Sequence, residues 1–229
     1  MKKIILIIAL ATAAINLFSQ EEKMYVMKNG NMRYQSVVSD IDSIIFYTPA
    51  CIIDTGVVIN GVKWATRNVD EPGNFAATAE SAGKIYQWNR IKAWDAVTVN
   101  VTGWDASNAT GTSWETENDP SPEGWRVPLQ AELNSLLDAE KVTNEWVTSP
   151  VNGRRFTDIA SGNTLFLPAA GYRDGSDGTL NYAGTYGYYW SSTANGTTSA
   201  YGLDFRSNST NMNISGRRYG YCVRAVAAE

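Results

Sequence analysis

Two carboxylates three residues apart are the feature of this sequence that comes closest to a metal site. Asp174 and Asp177 lie in the run Asp-Gly-Ser-Asp-Gly-Thr, in which oxygen donors are interspersed with glycines. Hard oxygen donors of this kind suit Ca²⁺, but the run lacks the glutamate that completes an EF-hand loop. An ordinary Asp-Gly turn explains the same residues. Asp174 and Asp177 are therefore a calcium candidate with a structural alternative, and the sequence predicts no cofactor.

Aromatic and hydrogen-bonding side chains surround the same run and predict a binding surface. Residues 171–187 are rich in Gly, Asp, Asn and Tyr, and a polar excursion over residues 95–118 carries further tryptophans. Aromatic faces combined with polar groups suit sugar or protein surfaces. The candidate ligand-binding residues are Tyr172, Arg173, Asp174, Asp177, Tyr182, Tyr186, Trp190 and Trp104. A scaffold role is the alternative for Tyr172, Arg173 and Trp190, and anchoring of the excursion is the alternative for Trp104.

The composition excludes several kinds of catalysis. The chain contains no histidine, so it has no histidine general base, no Ser-His-Asp or Cys-His nucleophile pair and no histidine-ligated zinc or iron. Hydrolysis by paired carboxylates stays open, because the sequence does not show how acids are arranged in space. We expect a protein that is not an enzyme.

The first residues resemble a secretory signal peptide. Lys2 and Lys3 precede an apolar run over residues 4–17, which closes at Phe18-Ser19-Gln20. The alternative, an uncleaved membrane anchor, would need about 20 apolar residues. No cysteine stands at the cleavage point, so we expect no lipid anchor. The prediction is a signal peptide at residues 1–19 and a protein secreted to the periplasm or cell surface, with no membrane insertion after cleavage.

The net charge indicates which binding partners to expect, and the cysteine content indicates which covalent cross-link to expect. The formal net charge is −4, and loss of Lys2 and Lys3 makes it −6, with no basic stripe along the chain. Nucleic acid is therefore not an expected partner. The two cysteines, Cys51 and Cys222, predict one disulfide in an exported chain, with two free buried thiols as the alternative.

Hydrophobic patterns divide the exported chain into two parts. Residues 20–50 form a short β segment and linker, with strands at 24–27 and 32–34 around Asn29-Gly30 and a third at 44–47. Residues 51–229 form the main domain, with strands at 57–59 and 62–64 around Asn60-Gly61. Leucines at 129, 133, 136 and 137 predict one helix, whereas the remaining segments predict short strands and long loops. These patterns alone leave the class open as α+β or mostly β.

Several blocks of the main domain together resemble a known family. They are residues 57–69, 82–89, 118–137, 164–173 with 188–193, and the closing Gly-Tyr-Cys-Val-Arg at 220–224. They are similar to the Fibrobacter succinogenes major paralogous domain (FISUMP) family of exported bacterial proteins. The resemblance implies an α+β, C-type-lectin-like fold with short twisted antiparallel strands, one or two helices and long loops. It also implies that the 171–187 loop carries the ligand and that paired chain ends bring Cys51 and Cys222 together.

The chain departs from this family at two places. Leu129 replaces the Thr that would cap the helix, which predicts that Glu132 loses its reciprocal partner. Ser121 and Ala225 stand where the family often has a pair of cysteines.

In the N-terminal segment, Asp42-Ser43-Ile44 resembles the O-glycosylation site of Bacteroidetes, which makes Ser43 a candidate modification site. Three ordinary strand residues are the alternative.

Three functions compete on these observations. The first is a noncatalytic binding or adhesion protein at the bacterial surface, with a glycan or surface protein as its ligand. The second is a structural subunit of a surface appendage or envelope layer, which would form oligomers through residues 23–47. The third is an enzyme related to formylglycine-generating proteins, which the missing reactive cysteine pair disfavours. We expect the first, and the sequence leaves the oligomeric state open.

Overall fold

The protein divides into two compact units, residues 1–50 and residues 51–229. A computed structural model describes residues 23–28 and 31–37 of the first unit and residues 54–228 of the second. Within these residues no helix is long and apolar enough to cross a membrane.

The first unit contains an antiparallel hairpin of β1 (Lys23–Lys28) and β2 (Asn31–Val37). Lys23 pairs with Val37 and Lys28 with Asn31, and the register shifts between Val26 and Met27. The predicted pair of strands is thus confirmed. The predicted turn at residues 29–30, the third strand at 44–47 and the candidate Ser43 lie outside the described residues.

The described residues of the second unit form three sheets. A four-stranded sheet has the order β3-β4-β17-β7, and a three-stranded sheet has the order β10-β9-β8. Their strands are β3 (Val57–Ile59), β4 (Val62–Trp64), β7 (Trp125–Arg126), β8 (Val142–Val147), β9 (Gly153–Asp158), β10 (Thr164–Pro168) and β17 (Val226–Ala227). Asn60 and Gly61 both have positive φ in the turn between β3 and β4, which confirms the predicted Asn-Gly hairpin.

The third sheet has eight strands and carries the candidate site. Its main path is β12-β11-β16-β13-β14-β15, and β5 adds to β16 with β6 beyond it. These strands are β5 (Ile85–Gln87), β6 (Ala93–Trp94), β11 (Tyr172–Arg173), β12 (Leu180–Asn181), β13 (Tyr186–Asn195), β14 (Ser199–Arg206), β15 (Ser209–Gly216) and β16 (Gly220–Cys222). Neighbours on the path are antiparallel except β13 and β16, which run parallel.

The predicted α+β, C-type-lectin-like class is wrong. Strands account for 40% of the described residues and helices for 5%, so this part of the chain has a β-sandwich-like class. The described α-helix is α1 (Gln130–Ser135), of six residues, and a 3-10 helix spans Thr116–Asn118. The leucine spacing indicated a buried face but overstated the length of helix behind it. Leu133 and Leu136 are buried, whereas Leu129 is 48% exposed.

The structure contains two strands of mixed polarity, β8 and β15, that the sequence patterns did not predict. β8 and β15 carry no sustained apolar alternation, so their residues resembled loops. Each pairs along its whole length with a neighbour, β8 with β9 and β15 with β14. Backbone pairing within the tertiary structure therefore outweighed the weak local pattern.

The start of α1 keeps part of the capping arrangement that Leu129 was expected to abolish. The Leu129 N–H donates to Glu132 Oε2 at 2.6 Å, although the leucine side chain offers no acceptor in return. Glu132 also accepts two hydrogen bonds from Arg126, at 2.7 and 2.8 Å. The Gln130 N–H donates to Thr193 Oγ1 at 3.0 Å, so a side chain from β13 supplies the missing cap. The return bond from the cap side chain is absent as predicted, but Glu132 keeps its bond from the N-cap N–H.

The core consists of two clusters that share the eight-stranded sheet. Tyr189 of β13 and Cys222 of β16 belong to the first cluster, together with Phe205 of β14. Their sequence neighbours Trp190 and Tyr221 belong to the second cluster. Successive side chains of a β-strand point to opposite faces of its sheet. We call the face that carries Tyr189, Leu203, Phe205 and Cys222 the inner face, and the face that carries Trp190 and Tyr221 the outer face.

Candidate binding face

The outer face of the eight-stranded sheet gathers tyrosines from separate parts of the chain. β13 contributes Tyr186 and Tyr188, β11 contributes Tyr172, and β16 contributes Tyr221. Alternation along each strand turns these side chains to the same side, and the inter-strand spacing brings the rings into contact. Tyr219 joins them from the turn before β16. We call the six residues the tyrosine cluster: Tyr172, Tyr182, Tyr186, Tyr188, Tyr219 and Tyr221.

Tyr172 and Tyr188 hold the centre of the tyrosine cluster. Their ring centroids lie 5.0 Å apart in an edge-to-face arrangement. Tyr172 also contacts Tyr219 at 5.8 Å and stacks on Tyr182 at 6.0 Å. Tyr188 lies 4.9 Å from Tyr221, and it stacks on Tyr186 at 5.9 Å. Because neighbouring rings restrict one another, the cluster forms a pre-organised aromatic surface.

A depression of about 340 Å³ opens in this face. Tyr172, Tyr188, Tyr219 and Tyr221 line one side of it, and residues 213–216 of β15 line the other. Asn213 and Ser215 thereby add an amide and a hydroxyl to the aromatic wall. Ser215 Oγ accepts a hydrogen bond of 2.7 Å from the Tyr221 hydroxyl, which fixes that ring at the floor. The depression is open to solvent and its accessible lining is more polar than apolar, so it suits a ligand that rests on the surface and exchanges hydrogen bonds with it.

The hydroxyls of the central tyrosines stay protonated at physiological pH. Burial raises the pKa of Tyr172, Tyr188 and Tyr221 above the ordinary phenol value. Asp204, the cross-strand neighbour of Tyr188, has a pKa raised by burial, and its Oδ1 has no hydrogen-bond partner among the described residues. The face therefore offers neutral hydroxyls that donate and accept hydrogen bonds, beside one half-buried carboxyl group.

Three predicted ligand residues belong to the tyrosine cluster. Tyr172 is half-buried at its centre, and Tyr182 lies at the rim with 57% of its surface exposed. Tyr186 accepts a hydrogen bond of 3.0 Å from Arg206 Nη1. The structure thus brings Tyr172, Tyr182 and Tyr186 together on a surface that a ligand can reach.

Arg173 faces the opposite way and is fully buried. Its guanidinium donates to the carbonyl of Asp95 at 2.8 Å, of Thr98 at 2.9 Å and of Gly178 at 2.6 Å. Burial lowers the pKa of this guanidinium, while the Asp95 carboxylate at 3.9 Å opposes that shift. Arg173 therefore links the 95–118 excursion to the loop after β11, and a ligand cannot reach its buried side chain.

Two tryptophans that were predicted to bind a ligand instead make contacts with other parts of the protein. Trp190 is fully buried, donates from Nε1 to the Tyr86 carbonyl at 2.9 Å and stacks under Tyr221 at 4.2 Å. Trp104 donates to the Gly175 carbonyl at 3.2 Å and packs on Gly178. Gly178 has a φ of +75°, and a Cβ there would lie 2.6 Å from the indole, so only glycine fits.

Asp174 and Asp177 each cap a turn. Asp174 Oδ1 accepts hydrogen bonds from the backbone and hydroxyl of Ser176, at 2.8 and 2.6 Å. Asp177 Oδ1 accepts from the Thr179 N–H at 2.9 Å, and this bond lowers the pKa of Asp177. Within the residues that the structure describes, no three His, Cys, Asp or Glu side chains come together as metal ligands. The geometry is that of local Asx turns.

Cys222 lies fully buried on the inner face. Its thiol donates to the Ala82 carbonyl at 3.5 Å, and burial raises the pKa of the thiol to about 12. Cys222 carries a free thiol in this structure. Cys51 lies outside the described residues, so the Cys51–Cys222 disulfide stays a prediction.

Five residues of the face are absent from the sequence-based candidates: Tyr188, Tyr219, Tyr221, Asn213 and Ser215. A signal for the tyrosines was present, because Tyr186-Gly-Tyr188 and Tyr219-Gly-Tyr221 place aromatic rings at alternate positions. No comparable signal marked Asn213 and Ser215. Their place in the site depends on the pairing of β15 with β14.

Comparison with known proteins adds one match. Residues 151–226 match a family described as a domain of unknown function (DUF8237). All members of the tyrosine cluster lie within this stretch. No curated protein and no solved structure matches the chain.

Proposed function

We propose that this protein is an exported, noncatalytic binding protein that holds a glycan on the outer face of its eight-stranded sheet. The observation that carries the proposal is the tyrosine cluster, four of whose rings line one side of a depression of about 340 Å³. Sugar rings present apolar C–H faces together with hydroxyl edges. Aromatic rings pack on such faces, whereas hydroxyl and amide groups exchange hydrogen bonds with the edges.

The polar groups of the depression support a neutral ligand. Asn213 and Ser215 offer an amide and a hydroxyl. The tyrosine hydroxyls are protonated at neutral pH, as ordinary phenols are, and burial raises their pKa further. The FISUMP-like blocks and the signal-peptide pattern are in keeping with a surface location. The proposed role is adhesion or capture of a glycan outside the cytoplasm. The lack of histidine is consistent with a role that needs no proton transfer.

A glycan-array screen followed by calorimetric titration of the best ligand tests this proposal. Replacing Tyr188 or Tyr172 by Ala removes a central ring, and we expect each change to weaken binding about tenfold or more, equivalent to about 1.4 kcal/mol. Chelation of divalent cations should leave the affinity unchanged, because Asp174 and Asp177 serve as turn caps.

Tyr201→Ala is the matched control, since Tyr201 lies on β14 of the same sheet but does not line the depression. This variant should bind like the wild type, with a melting curve recorded for all three proteins. Saturable binding that survives both Tyr188→Ala and Tyr172→Ala would contradict the proposed site. Failure to bind any glycan would contradict the proposed ligand and favour a protein ligand instead.

A further inference from the structure

Among the described residues, β15 at the end of the eight-stranded sheet pairs with β14 on one side and with no strand on the other. β15 pairs with β14 through an unbroken antiparallel register from Arg206–Ser209 to Ser199–Gly216. A two-residue turn joins these strands, so Arg206 and Ser209 form a hydrogen-bonded pair. Hydrogen-bonded positions then alternate along β15. The residues that direct their backbone N–H and C=O groups away from β14 are Thr210, Met212 and Ile214.

A side-chain contact agrees with this assignment. The Ile214 N–H donates to Oδ1 of its neighbour Asn213 at 2.8 Å instead of to β14. The N–H groups of Thr210 and Met212 have no partner within the part of the chain that the structure describes. β15 thus presents a row of backbone donors and acceptors to its surroundings.

β15 also lacks the features that usually protect an edge strand. Its eight residues, Ser-Thr-Asn-Met-Asn-Ile-Ser-Gly, include no proline and no charged side chain, and its register with β14 contains no bulge. Edge strands of monomeric proteins are commonly short, charged, bulged or covered. At the opposite end of the path, β12 has only two residues. Ile214, on the inner side of β15, is 50% exposed.

We infer that β15 pairs antiparallel with β15 of a second copy of this chain, with Met212 on the two-fold axis. The strand is self-complementary in this register. Thr210 of one copy lies opposite Ile214 of the other, and Asn211 lies opposite Asn213. Apolar or β-branched residues therefore meet on the inner side and amides meet on the outer side. The outward N–H and C=O groups would form about six backbone hydrogen bonds.

This pairing has a geometric consequence for the outer face. The two-fold axis of an antiparallel strand pair is perpendicular to the sheet, so both copies turn the same face to the same side. The two tyrosine clusters then lie on one surface of a continuous sheet. If the proposed function holds, such a dimer binds a multivalent glycan with avidity, and this consequence alone depends on that function.

Sedimentation velocity of the purified protein tests the pairing independently of any ligand. We expect a dimer at high concentration, and we expect Ile214→Lys to reduce its association at least tenfold by placing a charge on the edge. Ile159→Lys is the matched control, because Ile159 is similarly exposed but follows β9 of the three-stranded sheet. The control should dimerise like the wild type, and thermal melting shows whether both variants are folded.

Cysteine cross-linking tests the register. Asn211 and Asn213 are exposed, and the proposed pairing brings them to about 4.5 Å between Cα atoms, within the range for a disulfide. After mild oxidation, an equimolar mixture of the Asn211→Cys and Asn213→Cys variants should give a cross-linked dimer. Each variant alone should not, and these single variants also control for Cys51 and Cys222.

Two results would overturn the inference. One is a wild-type protein that stays monomeric up to its solubility limit. The other is a dimer that resists Ile214→Lys and yields no specific cross-link in the mixture, as expected if another surface or the β1–β2 hairpin of a second copy formed the contact. Retained glycan binding by a monomer would separate failure of the dimer from failure of the proposed function.

Discussion

Tyr188 and Tyr189 are consecutive in the sequence and have the same side chain, yet they lie on opposite faces of the eight-stranded sheet. Tyr189 is fully buried in the first core cluster, where its ring stacks on Phe205 at 5.9 Å. Its hydroxyl donates to the Pro168 carbonyl at 2.8 Å and accepts from Asn68 at 3.2 Å. Tyr188 is half-buried and lines the depression on the outer face.

This difference shows that the face of the sheet, more than the residue type, decides what a tyrosine does here. On the inner face, the hydroxyl of Tyr189 makes hydrogen bonds within the protein, and its ring fills space in the core. On the outer face, the rings of Tyr172 and Tyr188 contact one another but keep an open side toward the depression. Mutations of the buried inner-face rings and of the partly exposed Tyr172 and Tyr188 should therefore separate stability from binding.

The largest expected effect is the loss of a large inner-face ring. Phe205 is fully buried between Tyr189 and Trp146, with ring centroids at 5.9 and 6.4 Å. Phe205→Ala should lower the free energy of unfolding by about 3–5 kcal/mol, because it leaves a cavity in a closed core. Urea denaturation measures this change. The outer-face control Tyr182→Ala should change stability by less than about 0.5 kcal/mol, and similar losses in both variants would contradict the contrast between the faces.

A pair of smaller changes tests the hydroxyls directly. Tyr189→Phe leaves the Pro168 carbonyl and the Asn68 amide short of a partner in the core, and it should cost about 1–3 kcal/mol. Tyr188→Phe removes a hydroxyl next to the depression and should alter stability by less than about 0.5 kcal/mol. Denaturation curves of the two variants, measured side by side, provide the comparison. Equal costs would show that the Tyr188 hydroxyl is also needed for folding.

The smallest expected effect concerns Asp204 and depends on pH. Burial raises the pKa of this carboxyl in the folded state, so the folded protein binds its proton more tightly than the unfolded chain does. The stability that Asp204 contributes is complete below the unfolded pKa of about 3.9 and is lost as the pH rises through the folded pKa. Asp204→Asn should therefore match the wild type in acid and exceed it at neutral pH, by at most about 1 kcal/mol.

Denaturation midpoints of both proteins across a pH series measure this difference. A constant difference at all pH values would indicate that the substitution acts through packing and that the charge of Asp204 carries no cost. Because Asp204 lies beside Tyr188 on the outer face, the glycan affinity of the variant should be recorded in the same series.

Short-range features were predicted well because their causes are local. The β3–β4 hairpin follows from Asn60-Gly61, since both residues take positive φ at little cost. The β1–β2 strands follow from β-forming residues on either side of an Asn-Gly pair. The buried side of α1 follows from the leucine spacing, although the helix ends at Ser135. The α+β class failed because it extended this one signal and a family resemblance to the whole chain.

The candidate site was predicted only in part for a related reason. Tyr172, Tyr182 and Tyr186 were found because they lie in one conspicuous loop, while Arg173 in the same loop turned inward as a clamp on the carbonyls of residues 95–98. Asn213 and Ser215 reach the depression only because β15 pairs with β14. Long-range pairing of this kind leaves no mark in a local pattern.

From the sequence alone follow the lack of histidine chemistry, the hairpins and the alternating aromatic residues of β13 and β16, because composition and period-two spacing are properties of neighbouring residues. The tertiary structure decided that Tyr188 is exposed to the depression and Tyr189 is closed in the core. It also decided that Arg173 and Trp190 are internal and that one edge of β15 is unpaired among the residues that the structure describes. These outcomes depend on which strands pair and which face is covered, and contacts between residues far apart in the chain settle both.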